Sequence, residues 1–521
     1  MVNRKKAGIT LVLSRIVADM GEMLESTEAD VQSRFQSAKL PCAPTESQTG
    51  KADAHKKMTL KKKFKREASA PIEKPGPSRE ERMAAGKALR EKIPRTSQGK
   101  WTAPHLRPDV VAQLKASDKG RVAELLPIRY GRMSQSPFAF LRGAAAVMAR
   151  DVAGTPATGI RVQACGDCHV SNFGGFGTPE RELFFDINDF DETLPAPWEW
   201  DVKRLATSIV VARRVAGGGE KQCTESARYA AESYRTRMRE FAEMRALDVW
   251  YSHISADVLL RMATAHSSKK YWRQLEKKAR HGTAIHFLPK FTELFKGQRR
   301  IIDRRPLVYH PQNSAAIEAH VRETFARYRR TLGADLRVIL DRYTIVDVAR
   351  KVVGVGSVGT RCSVVLLMAA KDDPLFLQVK EACASALEPY AGKSRYANHG
   401  ERVVIGQRLL QSASDPFLGW TRHSDGHDFY FRQLRDMRMA VDPLQLSKEE
   451  WPEYSAICGW ALARAHARTG DAATIAGYLG KNEVFDEAIT RFSAAYADQT
   501  ERDYTALLKA IRAGRIRADR V

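Results

Sequence analysis

The sequence predicts an α+β protein, and three observations lead to this prediction. The chain has 521 residues, of which 43% are hydrophobic, so it can bury a large core. Apolar residues recur at helical spacing before residue 332 and after residue 440. The stretch between them is dense in β-branched residues and broken by glycines, which is typical of antiparallel strands.

We therefore predict four segments in chain order. Residues 1–77 form a disordered basic tail, and residues 78–332 form a mainly helical lobe that carries acid-rich loops. Residues 333–440 form a small antiparallel sheet lobe with a glycine-rich loop. Residues 441–521 are helical and pack on the helical lobe.

The tail is rich in Lys, Ser, Glu and Pro and is too polar to bury a core of its own. Its basic cluster, KKMTLKKKFKRE at 56–67, has two interpretations. It binds an anionic partner, such as nucleic acid or a membrane surface, or it is simply a solvated tail. The net charge of +24 favours anionic partners for the chain more generally.

Several features favour the cytoplasm. Arg15 and Asp19 interrupt the apolar run near the amino terminus, so we predict no secretory signal. The seven cysteines lack the regular spacing of a secreted disulfide framework. No apolar run approaches the ~20 residues that a membrane helix needs, so we also predict no transmembrane segment.

Local patterns predict the individual elements. Helices are expected from Ser78, after Pro137, from Asp201 to the glycine run at 217–219, within 230–265 and 315–332, and at 399–413, 452–469 and 482–512. Strands are expected from residue 336 through the β-branched stretch, with a hairpin turn at 371–374, and again at 428–436.

The stretch 165–201 concentrates polar chemistry beside the apolar run 183–185. Acids placed among strand-forming aromatic residues cost free energy when they are buried without partners. A cation, a hydrogen-bond network or both are therefore expected around them, and we predict a site for metal and phosphate. The polar residues of the stretch are Asp167, His169, Asn172, Asp186, Asp189, Asp191 and Asp201.

A second motif is GVGSVG, with Gly354, Gly356 and Gly359 in a GxGxxG pattern. Strand-like residues follow it, whereas a dinucleotide-binding unit would have a helix there. The pattern therefore indicates a glycine-rich hairpin whose backbone N–H groups cover nucleotide phosphates, with Lys380 on the next strand and Glu401 as its ion-pair partner. The alternative is a tight turn followed by a surface lysine.

Gly166, Asp167 and Asn172 resemble the HGDxxxxN loop of aminoglycoside-phosphotransferase-like kinases. The resemblance implies that Asp167 orients or deprotonates an acceptor hydroxyl and that Asn172 helps to hold Mg²⁺. Cys165 stands where that loop has a histidine. His169 is expected to organise the loop.

Residues 188–191, NDFD, resemble the metal-binding IDF/DFG segment of the same superfamily. The resemblance implies Asp189 as a metal ligand, with Asp186 as a rival on the other strand face. Asp191 occupies the place of the DFG glycine. Asp201, in WEWDVKRLA, is similar to the aspartate of the helix that buttresses the catalytic loop.

The order of these motifs is reversed, because the acid loop precedes the glycine loop in the chain. The resemblance therefore implies a circularly permuted, kinase-like, two-lobed fold. The ALARAHA stretch at 461–467 is similar to the helix that normally precedes HGD. Permutation is tolerated where termini lie close together at a surface.

Two other interpretations use the same residues. Cys165, Cys168 and His169 match the CxxCH pattern of c-type haem, and CxxC could be half of a zinc site. Haem attachment requires export of the protein, and a zinc site requires a second pair of ligands. Both interpretations are therefore less favoured. Six arginines could form forks to phosphate, but we interpret each as a charge on a solvated face. They are Arg129, Arg132, Arg142, Arg432, Arg435 and Arg438.

The chain is also similar to the bacterial domain-of-unknown-function family 2252. The matching phrases include IRYGRM, CGDCHVSNFGGF, FDINDFDET, PWEWDVKRLA, VVGVGSVGTR and FRQLRDM, in one order. This resemblance implies no particular activity.

The function expected from these motifs is ATP-dependent phosphotransfer, with ATP and Mg²⁺, to an unknown small-molecule or protein hydroxyl. The alternatives are a nucleotide-binding pseudokinase or regulatory module, a nucleotidyltransferase and, less favoured, a nucleic-acid-binding protein.

Overall fold

The computed structural model describes residues 76–434 and 436–519, and Pro77–Val521 group into one compact unit. The predictions for residues 1–75, including the disordered tail and its basic cluster, lie outside the described residues. Within the described part, helices and antiparallel sheets confirm the α+β class. The predicted boundaries at residues 332 and 440 stay predictions.

Helices make up most of the regular structure. In chain order they are α1 Arg79–Lys92, α2 Val110–Ala116, α3 Leu126–Met133, α4 Pro137–Gly143, α5 Ala145–Ala153, α6 Trp198–Val215, α7 Glu220–Glu243, α8 Ala246–Tyr251, α9 Ala256–Met262, α10 His266–Arg280, α11 Ala284–Phe291, α12 Ser314–Tyr328, α13 Ala334–Leu340, α14 Glu388–Ala391, α15 His399–Leu410, α16 Glu450–Thr469, α17 Ala472–Leu479 and α18 Val484–Arg512.

Over the described residues, the strands form four antiparallel sheets. They are β1 Arg161–Ala164, β2 Phe173–Gly177, β3 Leu183–Ile187, β4 Leu194–Pro197, β5 Thr292–Phe295, β6 Gln298–Ile301, β7 Val308–Tyr309, β8 Thr344–Lys351, β9 Cys362–Ala370, β10 Asp373–Ala382, β11 Gly419–Arg422, β12 Asp428–Gln433 and β13 Met439–Ala440. The largest sheet has the order β11-β12-β10-β9-β8-β7, and a smaller one has the order β13-β2-β3. β1 pairs with β4, and β5 pairs with β6.

Several helix boundaries follow the local chemistry that predicted them. Ser78 and Glu81 form a capping box at the start of α1. Ser136 caps α4, whose first residue is Pro137. α6 ends just before Gly217, which adopts a φ of +81°.

One local prediction is wrong. The residues at 334–340 form α13 rather than the first strand, because Leu336 and Leu340 share one helix face while Val338 is 60% exposed. The helices expected within 230–265 are α7, α8 and α9. Ser252 and Ala263, which follow α8 and α9, adopt extended backbone.

Two of the hydrophobic cores position the site described below. The larger one includes Trp198, Tyr234 and Trp451 from α6, α7 and α16. The second lies between α12 and one face of the large sheet, where Tyr328 stacks on Phe431. In β10 the odd-numbered residues 375, 377 and 379 enter this second core, so the even-numbered residues point to the opposite face of the sheet.

Over the described ranges 76–434 and 436–519, none of the helices combines the length and the apolar character needed to span a membrane.

Candidate active site

Lys380 lies at the centre of the contacts between the large sheet and the acid-rich stretch. It is opposite Cys362 on β9 and Tyr430 on β12, and it is only 2% exposed. Its ammonium donates to Oδ2 of Asp191, and the Tyr430 hydroxyl donates to Oδ1 of the same carboxylate at 2.7 Å. A buried lysine requires such a partner, because an isolated charge is costly in the interior.

The predicted ion-pair partner of Lys380 is therefore wrong. Glu401 lies in the first turn of α15, where its backbone N–H donates to the capping side chain of Asn398. Within the described residues, the ion pair of Lys380 is with Asp191. Sequence spacing favoured Glu401 because it lies on the next helix, whereas Asp191 is 189 residues away in the chain.

Burial and charge act in opposite directions on this pair. Burial alone would raise the pKa of Asp191, but the Lys380 ammonium and the hydrogen bonds from Lys380 and Tyr430 hold that pKa below its ordinary value. Burial likewise opposes the charge of Lys380, and the carboxylate of Asp191 raises the pKa of the ammonium above its ordinary value. Both groups are charged at neutral pH.

The glycine-rich loop reaches the same acids. After β8 the chain enters a 3₁₀ turn at Val355–Ser357, and Ser357 Oγ donates to Asp191 Oδ2 at 2.9 Å. A Cβ at Gly356 would lie 3.6 Å from Asp167 Oδ2 and 3.0 Å from the carbonyl oxygen of Arg142. Gly359 adopts a φ of +96°, a conformation that favours glycine. The loop therefore passes directly over Asp167 and Asp191.

Residues near α3 hold this loop from outside. Val122 donates its N–H to the Gly359 carbonyl at 2.7 Å, and Arg121 donates to the Val358 carbonyl at 2.6 Å. Arg132 donates to the carbonyl of Val353. Arg129 is fully buried and donates to Asp118 and to the backbone of α4. Our interpretation of Arg129 and Arg132 as charges on a solvated face is wrong.

The loop that contains Asp167 is organised by α6. Asp201 accepts the backbone N–H groups of Cys165 at 2.6 Å and Gly166 at 3.0 Å. Gly166 has a φ of +85°, and a Cβ there would overlap the carbonyl oxygen of Glu192. His466 of α16 lies behind Asp201, with its Nε2 3.3 Å from Oδ2. Asp201 thus holds the start of the loop in one conformation.

Asp167 itself is held by Arg204, one turn after Asp201 on α6. The guanidinium donates to Oδ1 through two nitrogens, with Nε at 2.7 Å. Oδ2 is left on the side of Gly356. Burial raises the pKa of Asp167, although Arg204 opposes the rise. Asn172 donates its amide N–H to the Asp167 carbonyl at 2.8 Å, which closes the loop.

His169 lies against the same carboxylate. Its Nε2 is 3.8 Å from Asp167 Oδ2, and its ring is almost completely buried. Burial, and then the charges of Arg142 and Arg204, keep the pKa of His169 well below its ordinary value. The imidazole is therefore neutral near pH 7.

Asp189 and Asn172 are brought together by the β2–β3 hairpin. Asn172 directly precedes β2, Asp189 follows β3, and the Asn188 N–H donates to the Asn172 carbonyl at 2.8 Å. The Asp189 carboxylate makes no ion pair with any residue in the described ranges. It accepts only the backbone N–H of Asp191, at 3.3 Å.

Asp186 has a different environment. It is 0% exposed and forms an ion pair with Arg464 of α16, at 2.6 Å. Ser412 adds two hydrogen bonds to Oδ2, from its N–H and its hydroxyl, both at 2.9 Å. These partners occupy the carboxylate, so of the two rival metal ligands Asp189 is the one open to a ligand.

Arg142 faces both Asp167 and Asp189 from α4. Burial lowers the pKa of its guanidinium, and these two carboxylates oppose that effect. Its Nε is buried and has no hydrogen-bond partner in the described chain. Our interpretation of Arg142 as a solvated helix-face charge is therefore also wrong.

A cavity of about 280 Å³ adjoins this cluster, between the large sheet and the β2–β3 hairpin. Gln378 and Lys380 lie on the same face of β10, and Gln378 lines the cavity. The polar side chains around it include Asn188, Gln378, Gln407, Gln411, Asp415 and Arg432. Arg432 is oriented by Gln378, whose Oε1 accepts its Nε–H at 2.9 Å.

The sequence alone did not assign roles to three residues of this cluster. Arg204 could have been found from its helical spacing to Asp201, since both lie on one face of α6. Ser357 could have been noted as the polar residue inside the glycine loop. Tyr430 offered no such pattern, because its role depends on the pairing of β12 with β10.

One comparison with known proteins gives a match. The family model described as "Uncharacterized protein conserved in bacteria (DUF2252)" matches residues 121–510. That range contains the acid-rich stretch, the glycine-rich loop and Lys380. No curated protein and no solved structure matches the chain.

Proposed function

We propose that this chain, which belongs to the bacterial family DUF2252, is a phosphotransferase that moves the γ-phosphate of ATP to a hydroxyl group. One observation carries the proposal. Lys380, on the strand that follows the glycine hairpin, meets the acid-rich stretch through the Lys380–Asp191 ion pair and the Ser357–Asp191 hydrogen bond. Convergence of such a lysine, a glycine loop and acidic loops is the arrangement that kinase-type phosphotransfer uses.

A second contact supports a permuted, kinase-like order. α16, which contains ALARAHA, ends beside β1, the strand that leads into the Asp167 loop. Thr469 Oγ1 accepts the Gln163 N–H at 3.2 Å, although the two residues are 306 positions apart. A Cβ at Gly470 would lie 2.6 Å from Val162 Cγ1. The helix is thus adjacent in space to the loop that it would precede directly in an unpermuted chain.

In this proposal the glycine loop and Lys380 bind the phosphates of ATP. Gly354, Gly356 and Gly359 allow the backbone to approach them closely, and the base enters the adjoining cavity. Lys380 is held by Asp191, so a phosphate must compete with that carboxylate for the ammonium. Arg142 supplies a second cation with a free Nε–H.

Asn172 and Asp189 would hold Mg²⁺, whose preferred ligands are oxygens. The fit rests on Asp189, whose carboxylate faces Arg142 but forms no direct ion pair in the described ranges, and on the hairpin contact that joins it to Asn172. The ion would neutralise charge on the phosphate oxygens. Asp186 is not part of this set, because Arg464 and Ser412 occupy it.

Asp167 would accept the proton of the acceptor hydroxyl. Arg204 fixes Oδ1 and leaves Oδ2 on the side of the glycine loop. A carboxylate with a raised pKa is a better proton acceptor than an ordinary one, which suits this role. Positioning and charge stabilisation would supply the rest of the rate enhancement.

A second candidate is a nucleotide-binding module without turnover. The observation that favours it is the double restraint of the site, in which Asp191 holds Lys380 and Arg204 holds Asp167. A site restrained in this way could bind nucleotide without completing transfer.

The test uses the full chain with Mg-ATP and a mixture of small-molecule and protein hydroxyl acceptors. Binding is measured by calorimetry, and nucleotide consumption is measured by chromatography. We expect wild-type binding, loss of binding in Lys380→Ala, and unchanged binding in Lys371→Ala, an exposed lysine of the β9–β10 turn. If the protein is a phosphotransferase, the Asp167→Asn variant should still bind Mg-ATP but consume ATP about 10²–10⁴-fold more slowly.

Each other outcome has a defined meaning. Binding without ATP consumption, unchanged by Asp167→Asn, identifies the nucleotide-binding module. Release of pyrophosphate instead of ADP identifies nucleotidyl transfer. No binding at millimolar Mg-ATP would remove the proposal.

We also propose that the protein works in the cytoplasm and that residues 1–77 bind an anionic partner. Deleting these residues should then abolish binding to nucleic acid or anionic vesicles, and that binding should weaken steeply with salt. Binding that persists in the deletion variant would contradict the role of the tail.

A further inference from the structure

A group of histidine and carboxylate side chains lies between α12 and the turn that joins β11 to β12. α12 contributes His320 and Glu323, and the turn contributes His423, Asp425 and His427. One ring nitrogen of His320, one of His423 and a carboxylate oxygen of Asp425 all lie within 4.8 Å of one another. None of the five has a role in the site proposed for phosphotransfer.

The local backbone and packing hold these donors in place. His320 and Glu323 are three residues apart on α12, which puts them on one helix face. The turn is closed by a hydrogen bond from the His423 N–H to the His427 carbonyl at 2.9 Å, and Gly426 supplies the φ of +91° that it needs. A tight turn and a helix face thus present donors toward each other.

The two elements are fixed to each other by packing. The His320 and His423 rings are stacked with centroids 3.5 Å apart, and the His320 ring also contacts Phe429 edge-on at 5.1 Å. Ser424 donates to Glu323 Oε2 at 3.1 Å, which ties the turn to the helix a second time. Little rearrangement is therefore required to bring these nitrogens and oxygens onto one ion.

Two carboxylates lie at opposite edges of the His423 ring. His423 Nε2 is 2.9 Å from Glu323 Oε2, and His423 Nδ1 is 2.9 Å from Asp425 Oδ1. His427 Nδ1 lies 3.0 Å from the same Asp425 oxygen. That nitrogen is buried and has no partner in hydrogen-bond geometry within the described residues.

We propose that this cluster binds a divalent transition-metal ion of the Zn²⁺ class. His320, His423 and Asp425 would be the ligands, with His427 beside Asp425, and Glu323 would hold the other edge of the His423 ring. Imidazole nitrogens mixed with carboxylate oxygens suit Zn²⁺ and its first-row neighbours, whereas Mg²⁺ and Ca²⁺ prefer sets made of oxygens alone.

A bound ion would link α12 to the outer hairpin of the large sheet. β11 is the edge strand, and β12 lies between it and β10, the strand that carries Lys380. The metal site would therefore hold the β11 edge of the sheet against α12, at the edge opposite to β7. This structural role does not depend on whether the other site transfers phosphate.

The test titrates Zn²⁺ alone into the chelator-treated full chain against a chromophoric competitor, and Co²⁺ serves as a spectroscopic replacement. We expect one tightly bound ion per chain and visible absorption of the Co²⁺ form. His320→Gln and His423→Gln should each weaken binding by at least ~10-fold and remove that absorption. The control is His286→Gln, an exposed histidine of α11 that should leave binding unchanged.

The result that overturns the proposal is equally direct. Equal uptake by the wild type and both glutamine variants, or no uptake by the wild type at micromolar Zn²⁺, would show that the cluster is an ion-pair network only. Should either variant fail to fold, Asp425→Asn at the exposed turn replaces it, because it removes a ligand with little change in shape.

Discussion

The Lys380–Asp191 ion pair can be tested through its coupling free energy in a double-mutant cycle of Lys380→Met and Asp191→Asn. Removing one partner of a buried pair costs about 3–5 kcal/mol. We expect the lower end, about 3 kcal/mol, for Lys380→Met, because Asp191 keeps the hydrogen bonds from Tyr430 and Ser357. Asp191→Asn leaves the buried Lys380 ammonium unpaired and should cost at least as much. The double variant leaves no unpaired charge. Its loss of unfolding free energy should therefore be smaller than the sum of the two single losses by at least ~2 kcal/mol.

Equilibrium urea unfolding of the four proteins measures this coupling, with Lys371→Met as an exposed control on the same hairpin. The folded-state pKa of Asp191 is lowered, so its contribution is present above the unfolded pKa of about 4 and is lost as the pH falls below it. If the losses of unfolding free energy in the two single variants add up to the loss in the double variant within about 0.5 kcal/mol, the ion pair is refuted.

Three further outcomes follow from buried contacts. Arg464→Met should cost about 3–5 kcal/mol because it leaves Asp186 charged and fully buried, and urea unfolding with Asp186→Asn added should recover part of that loss. Burial raises the pKa of Asp415 to about 6, so the folded state binds its proton more tightly. As the pH rises from 5 to 8, the free energy of unfolding of the wild type should therefore fall by about 1 kcal/mol relative to that of Asp415→Asn. Gly459→Ala should cost about 1–3 kcal/mol, because its Cβ would overlap the carbonyl oxygen of Ala230 on α7.

Each of these has an outcome that would contradict it. An Arg464→Met protein as stable as the wild type would mean that Asp186 is neutral or exposed. A pH-independent difference for Asp415→Asn would mean that its carboxyl has an ordinary pKa. Gly154→Ala, where a Cβ makes only an ordinary contact at 3.6 Å, is the control for Gly459→Ala and should change stability by less than about 0.5 kcal/mol.

Features encoded within a few residues could be predicted from the sequence. The capping box at Ser78, the Ser136 cap and the glycine stop after α6 lie where local chemistry indicated. The turn at 371–374 joins β9 to β10, and Lys380 lies near the end of the second strand. Each of these depends on backbone propensity or on one nearby side chain.

Features that depend on packing between residues far apart in the chain could not be predicted from the sequence. Arg129, Arg132 and Arg142 have the composition of a solvated helix face, but tertiary packing buries Arg129 and half-buries Arg132 and Arg142 beside the glycine loop. The choice between Asp186 and Asp189 depends on Arg464, which lies 278 residues after Asp186. Four-residue strands such as β1 and β5 are too short for a periodic pattern.

The long separation between paired charges has a consequence for biosynthesis. Asp186 and Asp201 emerge from the ribosome long before Arg464 and His466, their partners on α16. Until α16 has been synthesised, Asp186 lacks the guanidinium of Arg464 and Asp201 lacks the imidazole of His466. A nascent or truncated chain that stops before α16 should therefore stay open at this point and depend on chaperones, and the acid loops should not be obtainable as a stable fragment.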